Sequence, residues 1–251
     1  MEFQEYRWMF ENEDKNFFYV ANHKIIISLI KRFAPTSNKP LKILEAGCGT
    51  GLLSKKLKPY GKVNAFDIHP EAIRLTKQRG VNARKGSVNN VPFHTNSFDV
   101  VTSVDVIYHK QVDDQKALSE FFRVLKPGGI LVVRVPANKW LVRESDKHVH
   151  TRERYNKEEL ARKLQKAGFI IEKISYINSL LLPPVIITHY LEKIIKPKST
   201  KSPITPTPKL INLLLSFLLS SEAYILQFLN LPFGLGIVAV TKKPKSQSTR
   251  E

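Results

Sequence analysis

A single cysteine, Cys48, stands in the 251 residues, so the chain can form no internal disulfide. With only seven histidines beside that thiol, and none grouped at zinc-site spacing, no metal site is indicated. Acidic residues are scarce: 22 face 40 lysines and arginines, and the net charge of +18 draws the chain toward polyanions, whether nucleic acid or an anionic membrane leaflet. The basic pairs Lys55-Lys56, Arg162-Lys163, Lys196-Pro-Lys198 and Lys242-Lys243 are scattered and lack the interleaved aromatics of a single-strand groove, which makes nucleic acid the less favoured partner. A signal-peptide pattern is absent too. The N-terminus carries Glu2, Glu5, Glu11, Glu13 and Asp14 in place of a basic start and apolar core, so the expected compartment is cytoplasmic. No internal repeat is visible.

What is present is enough for one good core: 42% of residues are hydrophobic, and one enlarged domain is expected rather than two. Ile43 to Leu52 read Ile-Leu-Glu-Ala-Gly-Cys-Gly-Thr-Gly-Leu, a buried strand running into a glycine-rich turn. The next strand, Val63 to Asp67, leaves a carboxylate at its C-terminal end, where open α/β sheets bind ligands and where an acid can accept hydrogen bonds from ribose hydroxyls. A nicotinamide dinucleotide site would need Gly-x-Gly-x-x-Gly, but the third glycine position is Leu52 and a glycine falls one residue earlier, at Gly51. Glu45 brings a carboxylate toward the loop, which suits an ammonium group and suits a pyrophosphate badly.

In these blocks the chain resembles the class I S-adenosylmethionine-dependent methyltransferases, and within them the type 11 branch. Residues 40 to 175 carry the resemblance. After Glu45-Ala-Gly-Cys-Gly-Thr-Gly and Asp67-Ile-His-Pro come Gly86-Ser-Val-Asn-Asn-Val-Pro-Phe93, Ser97-Phe-Asp-Val-Val-Thr-Ser-Val-Asp-Val-Ile-Tyr-His109 and Glu120-Phe-Phe-Arg-Val-Leu-Lys-Pro-Gly-Gly129. The resemblance implies S-adenosyl-L-methionine as cofactor. It places Glu45, Gly47, Cys48, Gly49 and Gly51 at the methionine moiety, Asp67 at the ribose, Ile68 on the adenine and Ser87 with Val88 at the adenine edge, with Val104 in the same set. The family usually has Asp where Ser87 stands; a hydroxyl can still accept one bond. As a residue, Cys48 reads as a small packing hydrophobe rather than a reactive thiol.

The expected fold is a doubly wound α/β, Rossmann-like and mostly parallel seven-stranded sheet with an antiparallel edge strand. Strands are predicted at Lys42 to Ala46, Val63 to Asp67, Phe98 to Ser103, Ile130 to Val135, Phe169 to Tyr176 and Leu235 to Thr241, and helices at Leu52 to Leu57, Pro70 to Arg79, Gln115 to Leu125 and Lys157 to Ala167. Pro70 suits a first helical turn, and Asn156 with Glu159 forms a capping pair. Residues 1–35, rich in aromatics, form a helical segment that in the resembling family lies over the cofactor as a lid; simple cover for the sheet is the equal alternative. The core is expected to comprise 36–177 and 235–244, with 245–251 expected as a disordered tail.

Residues 178–234 interrupt the last two strands by far more than the roughly two to five residues of a hairpin loop, so they form an insertion with its own structure. In Leu210 to Leu229, Asn212, Ser216, Ser220 and Gln227 fall on one narrow stripe among apolar residues, and such a helix is expected to bury most of its circumference. Leu210 to Leu219 is too short to span a bilayer, which takes about 20 apolar residues. Core packing, a homodimer face through 210–229 and a foot on an anionic membrane surface are the three readings, with packing the default.

For chemistry, His109 follows the strand at Phe98 to Ser103 at the binding end of the sheet, and His150 lies in a second polar cluster with Asp146, Arg154 and Tyr155. His109 and His150 are the candidate catalytic bases, Arg154 and Tyr155 the candidate substrate contacts. Structural roles compete in each case. The expected reaction is methyl transfer to a hydrophobic or lipid-linked acceptor, including a glycan on a lipid, by a protein peripheral to the membrane. The alternatives are an RNA methyltransferase and a non-catalytic cofactor-binding subunit that docks a partner enzyme.

Overall fold

The computed structural model describes residues 3–142, 151–195 and 207–245. Its strands are β1 (Leu41–Ala46), β2 (Gly61–Asp67), β3 (Asn82–Lys85), β4 (Phe98–Val104), β5 (Leu125–Pro136), β6 (Ile170–Ile177) and β7 (Gly236–Lys242), joined in one sheet in the order β3-β2-β1-β4-β5-β7-β6. β7 runs antiparallel to both β5 and β6, and the pairs among β1 to β5 are parallel. The described helices are α1 (Phe3–Asn12), α2 (Phe17–Phe33), α3 (Leu52–Leu57), α4 (Pro70–Gln78), α5 (Asp114–Val124), α6 (Lys157–Lys166), α7 (Leu182–Ile195) and α8 (Lys209–Ile225).

Strand alternation divides the core. Ile130 and Val132 of β5, with Val238 and Val240 of β7, face α2, where Ile25, Ile26, Leu29 and Ile30 are buried. Leu131, Val133 and Val135 face the other way, onto Leu118 and Phe121 of α5 and Leu160 and Leu164 of α6. A strand segment covered on both sides must be apolar at every position, which is why Ile130 to Val133 of β5 and Ile237 to Val240 of β7 read as unbroken runs. β3 escaped the sequence reading because it is a short outer strand, buried only at Ala83.

Local signals behave as their chemistry requires. Asn156 caps α6 by accepting from the Glu159 backbone NH at 2.8 Å, while the Glu159 carboxylate goes outward to Lys139 at 2.6 Å. His69 caps α4 through Nδ1, which accepts from the Glu71 NH at 3.2 Å, with Pro70 following as the first helical residue.

The insertion corrects one expectation. α8 does not bury most of its circumference: Leu219, Glu222, Ala223 and Leu226 point inward, whereas Leu210, Phe217 and Tyr224 are 79%, 73% and 70% exposed. The Glu222 carboxylate anchors the helix by accepting the backbone NH groups of Asn178 (2.6 Å) and Ser179 (2.8 Å). Burial pushes this carboxyl upward, and those backbone bonds oppose the shift. Among the described residues no helix is long and apolar enough to cross a membrane.

Candidate functional site

The C-terminal ends of β1, β2, β4 and β5 meet at one side of the sheet, and the loop 47–51 leaves β1 there. Gly47 and Gly51 have φ of +76° and +77°; a Cβ on Gly47 would sit 2.4 Å from Val106 Cγ2, and one on Gly51 would sit 2.6 Å from Thr76 Oγ1. Both positions therefore exclude a side chain on conformation and on space together. The loop is held from beneath, with the NH groups of Gly47 and Cys48 donating to the Phe66 carbonyl at 2.9 and 3.0 Å. Asp67 ties it to β2: Oδ2 accepts from the Gly49 NH and Oδ1 from the His69 NH, both at 2.9 Å. Each oxygen keeps a second acceptor direction, the capacity needed to take a ribose diol. Beside it Ile68 is 56% exposed, an apolar side chain facing outward where a flat ring could be covered.

Other members of the predicted set are placed differently. Glu45 is buried and accepts a short hydrogen bond from Ser54 of α3, so its carboxyl is engaged by the helix that follows the loop. Burial pushes its carboxyl up to about 8 against the opposing Ser54 bond, and the charges of Glu13 and Asp67 raise it further. Cys48 packs: its Sγ lies 3.3 Å from Thr76 Oγ1 beside Ala65, Val81 and Ala83, and burial raises the thiol well above its ordinary range. Val88 belongs to the core and Val104 packs at its margin. Ser87 Oγ accepts from the Asn89 NH at 3.2 Å, a turn that an Asp carboxylate can also form. Ser87→Asp is accordingly expected to bind S-adenosylmethionine at least as tightly as the parent chain; clearly weaker binding by calorimetry would reject that assignment.

The N-terminal helices supply groups the sequence did not single out. α1 crosses the loop, with Met9 Cε 3.3 Å from where a Cβ on Gly49 would stand and Tyr6 stacked on His69 at 4.7 Å. At its end Glu13 accepts a short bond from Thr50 and pairs with Arg79 at 2.8 Å. Its carboxyl is raised to about 7, chiefly by burial, against the pull of Thr50, Arg79 and Lys56. From α2, burial and the nearby Glu13 and Asp105 push the Tyr19 phenol upward, and Phe18 lies 5.1 Å from the Arg134 guanidinium. Arg134 makes a short ion pair with Asp105, the residue after β4. His23 is buried with Nδ1 3.5 Å from Lys56 Nζ; burial, then Lys56, Arg79 and Arg134, lower it to about 3, too far down for a useful base near neutral pH. Two of these carried a signal: Asp105 directly follows a strand much as Asp67 ends one, and Arg134 is a charge inside the apolar run Ile130 to Val135. Glu13 carried none, because only the fold returns α1 to the loop.

The predicted chemical residues separate. His109 lies on the loop after β4, its ring 4.4 Å from that of Tyr108, and its backbone bridges Thr151. His150 and Asp146 lie outside the described residues. Tyr155 is corrected from substrate contact to core residue: it is fully buried and its hydroxyl donates to Asp114 Oδ2 at 2.7 Å. The same oxygen receives Lys163 and Arg152, each at 2.7 Å. Burial alone would raise the Asp114 carboxyl, but these donors together hold it below its ordinary value. Arg154 Nη1 donates to the Ala137 carbonyl at 3.1 Å, tying its segment to the end of β5. Asp114→Ala, which strands three buried or half-buried donors, is expected to cost about 3 kcal/mol of stability by chemical denaturation while leaving cofactor affinity within about twofold.

The glycine turn, the ribose-type acceptor at Asp67 and the carboxylates Glu13, Glu45 and Asp105 fit a cofactor that carries a sulfonium and an ammonium group. Two surface clefts, of about 220 and 580 Å³, lie elsewhere, one between Phe10 and Leu75 and one along Lys24, Ser28 and Gln227; their volumes carry no weight against that donor set.

Comparison with known proteins agrees. Residues 44–133 match the family model described as a methyltransferase domain. A probable S-adenosylmethionine-dependent methyltransferase of Mycolicibacterium smegmatis is 34% identical over 136 residues, 52% of this chain and 52% of that protein. An uncharacterized protein of Methanocaldococcus jannaschii is 30% identical over 177 residues, covering 65% of this chain and 72% of that protein. The chain thus spans about half of the first of these relatives. In fold it is similar to a Haloferax volcanii methyltransferase solved in complex with the Trm112 methyltransferase activator, with a TM-score of 0.62, 18% identity, and coverage of 96% of this chain and 95% of that one. With the sheet order, the glycine loop and these matches in place, the chain belongs to the class I S-adenosylmethionine-dependent methyltransferases, in the type 11 branch.

Proposed function

We propose that the chain transfers a methyl group from S-adenosylmethionine to a hydrophobic or lipid-linked acceptor, which includes a glycan carried on a lipid. The observation that carries the donor half is Asp67, whose two oxygens are fixed beside the glycine turn by the NH groups of Gly49 and His69 and each keep a free acceptor direction. Such a carboxylate at a strand C-terminus suits the ribose of a nucleoside ligand such as S-adenosylmethionine. When bound, that ligand supplies an electrophilic methyl on sulfur, and the protein's part is to align it with the acceptor in a dry site. α1 and the start of α2, which lie over the loop, would act as the lid that excludes water. His109 is the candidate base if the acceptor is a hydroxyl.

The acceptor half is supported by the insertion. Asn212 of α8 accepts from the Phe17 NH at 2.9 Å and donates to the Lys15 carbonyl at 2.7 Å, so the exposed apolar helix is fastened to the turn that carries Phe18 and Tyr19 toward Arg134. The test is incubation with methyl-labelled S-adenosylmethionine and fractionated host cells, followed by organic and aqueous partition. Label in the organic phase is expected; label confined to RNA, with salt-sensitive tRNA binding in a gel shift, would replace the acceptor by nucleic acid. His109→Ala is expected to lose at least tenfold in turnover with cofactor affinity unchanged, and full turnover would remove it as the base.

A further inference from the structure

α8 is apolar on both faces. Its inner face buries Leu219, Ala223 and Leu226, and polar groups beside them fasten it to the protein, where Asn212 bonds the α1–α2 turn and Glu222 accepts Asn178 and Ser179. The outward stripe holds Leu210, Leu213, Leu214, Phe217 and Tyr224, between 56% and 79% exposed, and Phe228 and Leu229 extend it at 67% and 65%. Apart from the Tyr224 hydroxyl, Ser221 is the one polar residue exposed between Leu210 and Leu229, and the one ionisable acid or base in that stretch, Glu222, is buried. At 1.5 Å per residue the helix presents this face over roughly 25 Å, a continuous apolar strip of the kind that marks a contact surface.

Cations border it. Lys209 is exposed at the start of α8, Lys15 is exposed on the turn that Asn212 clamps, and Lys24, Lys31 and Arg32 are exposed on α2, against which α8 packs. The Arg32 guanidinium lies 5.7 Å from the Phe228 ring, so charge and apolar surface are side by side. Asp14, on the same turn as Lys15, is an exposed acid beside this border.

We propose that α8 docks on an anionic lipid leaflet, lying in the plane of the interface with its apolar stripe inserted and the lysines and arginine at headgroup level. A second copy of the chain fits less well, because it would bring the same cationic border and another net charge of +18 against the first. A protein partner would ordinarily be met by about one hydrogen bond per 100–200 Å² of interface, and this stripe offers almost no polar atoms to make them.

The experiment is flotation of the purified chain with phosphatidylcholine vesicles, alone or mixed with phosphatidylglycerol, in the absence of acceptor. Vesicle binding needs no turnover, so its failure leaves the methyltransferase reading untouched. The chain is expected to float with the mixed vesicles, to release as salt rises, and to stay behind with phosphatidylcholine alone. L213D/F217D, on the outward stripe, is expected to lose at least tenfold in vesicle affinity with unchanged circular dichroism and cofactor binding. Equal flotation of parent and variant would overturn the proposal. So would absence of binding to the mixed vesicles together with a concentration-dependent dimer that the same variant dissolves, or binding to tRNA that vesicles do not displace.

Discussion

Asp67→Ala is expected to bind S-adenosylmethionine at least about 100-fold more weakly, a loss of at least about 2.7 kcal/mol. Hydrogen bonds to an ionised group contribute roughly 1.5–3 kcal/mol each, and a ribose diol would make two of them. The same substitution also frees the NH groups of Gly49 and His69, both now 2.9 Å from the carboxylate, so the loop loses its tie to β2. Asp67→Asn should fall between the two: its amide keeps one acceptor oxygen but turns an NH₂ toward a backbone NH. Calorimetric titration with S-adenosylhomocysteine, which lacks the methyl and the sulfonium charge, separates ribose contacts from charge. Asp67→Ala binding either nucleoside within about threefold of the parent would remove Asp67 from the site.

The second large effect is on pH. Glu45 and Glu13 are raised to about 8 and about 7 in the folded chain, with burial the leading cause in both. Their ordinary values lie near 4.5, so between about pH 5 and 8 the folded state holds protons that the unfolded chain has released. The stability they contribute is full below the ordinary value and is lost as pH rises through 7 and 8. The ligand-free chain should therefore weaken between pH 6.5 and 8 by on the order of 2–3 kcal/mol. His23 works in the opposite direction: lowered to about 3, it costs stability only as pH falls below about 6.5. The range from 6.5 to 8 thus isolates the carboxylates. A cationic cofactor favours their ionised form, so its affinity should rise over the same range while bare stability falls. Glu45→Gln, which cannot ionise, is expected to flatten most of both slopes. Denaturant melts and calorimetry at pH 6.5, 7.25 and 8 read both, and unchanged slopes in Glu45→Gln would place the titration elsewhere.

How much of this was legible before folding depended on the range of the interaction. Strands β1, β2, β4, β5 and β7 were readable from the short apolar runs that burial on both faces demands at their centres or ends, and the loop 47–51 because glycines occupy positions that a Cβ would block. Asp67 followed from the rule that ligands sit at strand C-terminal ends, and Asp105 obeys the same rule although it was passed over. Caps at Asn156 and Pro70 are interactions within a few residues, and local sequence suffices for them.

What only the tertiary structure decided is which distant groups meet. Glu13 reaches Thr50 and Arg79 because α1 folds back over the loop, and nothing within a few residues of Glu13 encodes that return. Tyr155 read as a polar candidate, yet the fold buries it against Asp114, 41 residues away. The polar stripe of α8 was visible, but its direction was not: helical periodicity fixes which residues share a face and leaves open which face turns inward. Asn212 and Glu222 found hydrogen-bond partners at Lys15, Phe17, Asn178 and Ser179, and an unpaired buried carboxylate or amide costs more than exposed leucine recovers. Sequence alone therefore determined the cofactor-binding frame, because its signals are local and steric, and tertiary structure decided the outward face of α8 and the membership of the site, because those follow from contacts up to 197 residues apart.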